Sequence, residues 1–233
     1  MLRVAIGQQA DLPGFVDTEA VAWMCDEERK RWAEQPEGTR RREFAASRWL
    51  LRGLLRNATG VAAEAWHVSA RSGAAPEARP LIGAISGGEL RASLSHRLGW
   101  VAAAVSDAAV GVDVECARPS RSDPHERAAL MLAPEELPAW NALGPAERES
   151  ALLVRWTAKE AWFKAVPRPD AAWDFRRVVA RACAPARANV RVWVAAPLHV
   201  AVCCDHPREL AEVECDGLDP ACCTSTFWHV AQA

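Results

Sequence analysis

The chain has 233 residues, half of them hydrophobic, with a formal net charge of −2. That much apolar material supports a substantial core in one large domain or two smaller ones, and the near-neutral charge gives no global drive toward nucleic acid or an anionic membrane surface. No apolar run approaches the roughly 20 residues that span a bilayer, and residues 1–7 turn polar too soon for an export signal, so a cytoplasmic protein with no membrane or nucleic-acid partner is expected.

In chain order, residues 1–7 read as a strand, and a loop containing Pro13-Gly14 leads to a helix over 17–35. A firmer helix covers 38–57, where Phe44, Leu51, Leu54 and Leu55 make an apolar stripe and Asn57 with Gly60 ends it. Residues 29–56 concentrate basic side chains: Arg29, Lys30, Arg31, Arg40, Arg41, Arg42, Arg48, Arg52 and Arg56. These either form a solvated helix face paired with Glu28, Glu34, Glu37 and Glu43, or in part a docking patch for an acidic partner.

Residues 71–89, rich in Gly, Ala, Pro and Ser, read as loop. Ser95-His96 stands at the entrance of a strand over 100–105, which turns near Asp107 and returns as 110–115, a hairpin by pattern. Residues 118–128 are polar and broken by Pro119 and Pro124. Helices are expected at 134–142 and 145–166, and strands at 189–195, 198–204 and around 226–231. A faint echo links Trp100-Val101-Ala102-Ala103-Ala104-Val105 with His199-Val200-Ala201-Val202-Cys203-Cys204, each ending just before an Asp.

The eight cysteines include the adjacent pairs Cys203-Cys204 and Cys222-Cys223 and show no CxxC or finger spacing. They read as reduced, small hydrophobic residues, with no structural zinc site expected.

The lysines are Lys30, Lys159 and Lys164, and the other basic positions among 28 Lys and Arg are arginine. Two ammoniums beside Glu160 in so arginine-biased a chain point to a place where a compact ammonium is needed. On a helix Trp156, Glu160 and Lys164 share one face, with Lys159 one position round. In the stretch Gly111-Val112-Asp113-Val114-Glu115, strand alternation puts the three valines on one face and both carboxylates on the other. Alone, such a pair reads as ordinary salt-bridge partners for arginine. With Glu160 it makes an all-oxygen set suited to Mg²⁺, or Mn²⁺ as substitute. Lys164, beyond its ordinary i,i+4 pairing, can reach a phosphate oxygen, and Ser95 and His96 can donate to one.

The same two stretches, Gly111 to Glu115 and Trp156-Thr157-Ala158-Lys159-Glu160-Ala161-Trp162-Phe163-Lys164, resemble the signatures of the 4′-phosphopantetheinyl transferase superfamily, and in length and order its larger monomeric branch. Ala46-Ser47-Arg48-Trp49-Leu50-Leu51 resembles that family's basic helix, Ala78-Arg79-Pro80 its GKP loop and Leu94-Ser95-His96 its (N/S)xSH turn. The resemblance implies an α+β fold of two similar α/β halves packed as a pseudo-dimer, here 1–107 and 108–233, in a monomer with coenzyme A in the cleft between them. It implies Mg²⁺ on Asp113, Glu115 and Glu160, Lys164 on the phosphate that moves, Arg48, Arg79, Pro80, Ser95 and His96 at the nucleotide end, and Lys159 among the cofactor-binding residues. The implied reaction moves 4′-phosphopantetheine from coenzyme A to a serine of an acyl or peptidyl carrier protein, serving secondary metabolism, with Glu160 as base. The competing readings are a coenzyme A- or carrier-binding homologue without transfer, and another Mg²⁺-dependent nucleotide enzyme such as a phosphohydrolase. Neither a Walker A loop nor a dinucleotide-binding glycine fingerprint is present.

Overall fold

The computed structural model describes residues 1–12, 23–69, 75–81, 89–118, 123–166 and 174–233. The first part of the chain runs β1 (Leu2–Gln8), α1 (Asp26–Ala33), α2 (Thr39–Thr59), β2 (Trp66–Val68), β3 (Ala78–Pro80), β4 (Arg91–Arg97) and β5 (Trp100–Ser106). It continues with β6 (Val110–Cys116), α3 (Pro124–Met131), α4 (Leu137–Asn141) and α5 (Pro145–Ala165). Then follow β7 (Val178–Ala182), β8 (Val190–Ala195), β9 (Leu198–Cys204), α6 (Pro207–Glu212), β10 (Cys215–Asp216) and β11 (Thr224–Gln232).

The architecture is α+β, with a four-stranded sheet of order β10-β1-β5-β4, a five-stranded sheet of order β6-β9-β8-β11-β7, and a small β2-β3 ribbon. The two larger sheets share a core of Leu2, Val4 and Ile6 from β1, Ala102 and Ala104 from β5, Val110, Val112 and Val114 from β6, and Val200 and Val202 from β9. On its other side the first sheet is covered by Leu51, Leu54 and Leu55 of α2. The second is covered by Ala158 and Ala161 of α5. Each sheet thus has one long helix on its outer face, although the strand numbers are unequal. β10 crosses back to pair with β1 in parallel, Val4 opposite Cys215, so the first sheet takes a strand from the second part of the chain.

The expected hairpin of 100–105 with 110–115 does not form. β5 lies between β1 and β4, and β6 pairs antiparallel with β9 in the other sheet. The hairpin partner of β5 is β4, closed by Leu98 and Gly99 at φ values of 50° and 83°. Two consecutive positive φ values suit the twist of a two-residue hairpin, but a leucine there hides the turn from sequence reading. Ser95 and His96 therefore lie within β4, not at the entrance of the next strand.

Other expectations shift in the same way. The helix over 17–35 is α1, starting at Asp26, and residues 17–22 lie outside the described residues. Within the expected loop 71–89, Ala78–Pro80 forms β3, and within the proline-broken stretch 118–128 a helix begins at Pro124, a residue preorganised for a first helical turn. The echoing strands β5 and β9 are both interior and almost wholly buried. Strands covered on both faces read as continuous apolar runs, which accounts for the likeness.

Gly111 decides how close α5 comes to β6. A Cβ added there would meet the Ala161 carbonyl oxygen at 2.0 Å and the Ala165 nitrogen at 2.7 Å. Only glycine lets the helix backbone settle on that strand, which puts the far end of α5 beside Asp113.

Candidate active site

The strands β4 and β6 are the facing edges of the two sheets, and serine side chains join them. Ser93 Oγ accepts from the Val112 N–H at 3.0 Å, and Ser95 Oγ donates to Asp113 Oδ1 at 2.8 Å. From α5, Lys164 Nζ donates to the same Asp113 oxygen at 2.7 Å and to the Val112 carbonyl at 3.0 Å. Two residues on, Glu115 Oε2 lies 3.0 Å from Arg97 Nε, and its Oε1 accepts from Trp156 Nε1 at 3.3 Å. Trp156 and Lys164 thus turn toward β6, and Glu160, half-buried, stands one helical turn from each on the same face. The structure brings Ser95, Asp113, Glu115 and Lys164 into one seam, with Glu160 on the helix face that lines it.

The seam is electrostatically tense. Burial pushes the Glu115 carboxyl above its ordinary pKa and the Asp113 charge adds to this, while Arg97, Trp156 and Lys164 hold it down. Asp113 is buried, and its Oδ2 has no hydrogen-bond partner among the described residues. The set of potential metal ligands whose donor atoms all lie within 4.8 Å of one another, among the described residues, is a different one: Asp107, His206 and Glu209. There the Met1 ammonium already bonds both carboxylates.

The residues of the first part of the chain divide. His96 Nδ1 lies 3.0 Å from Glu43 Oε2, facing α2. Burial lowers the His96 pKa; Glu43 acts against this, and Arg40 and Lys164 reinforce it. Arg79 is exposed and half-buried Pro80 follows it, both on the β2-β3 ribbon opposite His67 and Trp66. Arg48 is buried, donates to the Ser69 carbonyl at 2.6 Å and lies over the Phe44 ring. Its guanidinium holds the ribbon to α2. Arg52, fully buried, bonds Glu28 Oε1 at 2.9 Å. Arg31 pairs with Glu34 and Arg41 with Glu37, so much of the basic stretch is the paired helix face of the simpler reading.

Lys159 differs from its expected role. Fully buried on another side of α5, its ammonium bonds Glu136 Oε2, the Met131 carbonyl at 3.0 Å and the Phe175 carbonyl at 3.1 Å. Glu136 also accepts from the Ala133 and Ala180 backbone N–H groups. Sequence reasoning placed Lys159 at the ligand and missed Glu136, which no local pattern singles out. Arg97 pairs with Glu115. Trp156, on the helix face shared with Glu160 and Lys164, both bonds Glu115 and stacks on Phe175 at 4.2 Å. The eight cysteines are free thiols, with Cys203, Cys204 and Cys215 buried.

Clustered carboxylates and an ammonium thus meet at an edge-to-edge seam between the two sheets of this α+β fold. Residues 109–215 match the sequence model of the 4′-phosphopantetheinyl transferase superfamily. The matched segment contains Asp113, Glu115, Lys159, Glu160 and Lys164; Arg48, Arg79, Pro80, Ser95 and His96 lie before it. No curated protein matches the chain. The family that this segment matches is one of phosphopantetheinyl transferases, with coenzyme A its substrate and carrier proteins its partners. No helix among the described residues is long and apolar enough to cross a membrane.

Proposed function

We propose that the protein transfers 4′-phosphopantetheine from coenzyme A to a serine of an acyl or peptidyl carrier protein, acting as a monomer, with Asp113, Glu115 and Glu160 holding Mg²⁺ or Mn²⁺. One observation carries the metal assignment: Asp113 Oδ2 is a buried carboxylate oxygen with no hydrogen-bond partner among the described residues. Such an atom is costly unless a cation meets it, and an all-carboxylate set suits a hard ion. When bound, the ion supplies charge neutralisation for the pyrophosphate.

The remaining work falls to the chain's own groups. Lys164, anchored on Asp113 and the Val112 carbonyl, reaches the phosphate that moves. Ser95 and His96, with Arg79 and Pro80, take the nucleotide end, while Arg48 and Lys159 act through structure. Glu160 takes the proton from the carrier serine. The serine oxygen bonds to phosphorus, the pyrophosphate P–O bond breaks, and adenosine 3′,5′-bisphosphate leaves. The carriers are those of peptide, polyketide or siderophore synthetases, and the two halves 1–107 and 108–233 form the walls of the cleft.

Chromatography of coenzyme A reactions tests this reading. Adenosine 3′,5′-bisphosphate is expected only when an apo carrier is present. Release without an acceptor would replace transfer by hydrolysis, and tight binding with no release would leave a binding homologue.

A further inference from the structure

Glu43 is only 3% exposed, in a helix otherwise rich in arginine. Its Oε1 accepts from the Gly99 backbone N–H at 2.7 Å, and its Oε2 lies 3.0 Å from His96 Nδ1. One carboxylate from α2 therefore braces the Leu98-Gly99 turn and holds the imidazole that precedes it. A carboxylate facing Nδ1 requires the proton there, which leaves Nε2 of the neutral ring as an acceptor. Only the protonated ring donates from Nε2. Around His96 stand Glu43 and Arg40 from α2 and Lys164 from α5, a setting that favours an incoming anion.

We propose that Glu43 is a positioning residue for anion recognition at His96: it fixes the ring through Nδ1 and braces the turn, so that Nε2 meets a phosphate of coenzyme A as a charged donor. This rests on the reading above that coenzyme A occupies the seam. Charged hydrogen bonds are stronger than neutral ones, so binding is coupled to proton uptake by His96. Glu43→Gln changes the pairing in a specific way. Its amide oxygen can still accept from Gly99, while its NH₂ faces Nδ1 and moves the ring proton to Nε2. The donor then persists at every pH but carries no charge.

Calorimetric titration of the wild type and Glu43→Gln with coenzyme A at about pH 6 and about pH 8, spanning the ordinary histidine range, is the test. The wild type is expected to bind more tightly at the lower pH with proton uptake. Glu43→Gln is expected to lose that dependence and bind about tenfold more weakly at the lower pH, the difference between a charged and a neutral hydrogen bond. Glu43→Asp, which keeps the carboxylate, should recover part of the pH dependence. Nitrogen NMR of the wild-type protein gives a check that needs no variant: the neutral His96 ring must carry its proton on Nδ1, and an Nε2-protonated ring overturns the proposal. A Glu43→Gln titration identical to wild type also overturns it while leaving the transferase reading intact. Failure of the wild type to bind coenzyme A would sink both.

Discussion

Lys159 and Lys164 leave the same helix for different parts of the molecule. Lys164 places its ammonium 2.7 Å from Asp113 in the seam between the sheets, and Lys159 is wholly buried against Glu136. Five residues along an α-helix amount to about 140° of rotation, so one short motif serves two surfaces. One lysine lies in the seam beside Asp113 and the other holds α5 to the chain around Met131 and Phe175.

Lys159→Ala should accordingly damage stability rather than catalysis. It leaves Glu136 buried without its ammonium, and breaking a buried pair costs about 3–5 kcal/mol. Urea denaturation is expected to show that loss, with near-normal turnover per folded molecule. A combined Lys159→Met and Glu136→Gln variant should regain part of the stability. Lost turnover at unchanged stability would return Lys159 to the ligand.

The carboxylates of the seam should behave oppositely. Asp113→Ala or Glu160→Ala is expected to lower turnover by at least about two orders of magnitude, the scale of a preorganised electrostatic group, with a small change in melting temperature. Arg97→Ala, which removes an ion-pair partner of Glu115 40% exposed to solvent, should cost far less. Near-wild-type rates in either carboxylate variant would remove the metal assignment.

Gly111→Ala tests the geometry without touching a charged group. The new methyl would lie 2.0 Å from the Ala161 carbonyl oxygen, so α5 must move away from β6. Overpacking of this kind costs about 1–3 kcal/mol or more, and the displaced Lys164 should lower turnover as well. Gly53→Ala is the control: nothing lies within 4 Å of a Cβ there, in the interior of α2. That change should stabilise by roughly 0.5–1 kcal/mol. Equal effects of the two substitutions in thermal melts would contradict the packing argument.

His199 should set part of the acid limit of stability. It is buried in β9, bonded to Ser150 Oγ at 3.1 Å, and burial lowers its pKa. The folded protein therefore favours the neutral ring. The stability this gives is complete above the unfolded imidazole pKa of about 6.5 and is lost as pH falls toward the lower folded value. Urea midpoints measured against pH should fall less steeply on the acid side in His199→Gln than in the wild type. Parallel curves would show that other groups set the limit.

The sequence-level reading of β6 and α5 held because both rest on strict periodicity. The three valines enter the shared core while Gly111, Asp113 and Glu115 face the helix. The partner of β5 was not legible, because Leu98 occupies a turn position where glycine or asparagine usually announces itself. Lys159 was misplaced for a different reason: its partner Glu136 lies 23 residues away, and no local pattern encodes that pairing. The arginines of α2 share this limit, since nothing short of the fold distinguishes buried Arg48 and Arg52 from exposed Arg40 and Arg42.

The most direct test of the account is the intact mass of an apo carrier protein incubated with this protein, coenzyme A and Mg²⁺, beside a sample containing EDTA. The account predicts a gain of one phosphopantetheine on the carrier that EDTA abolishes. An unchanged carrier mass with coenzyme A demonstrably bound, or a gain indifferent to EDTA, would contradict it.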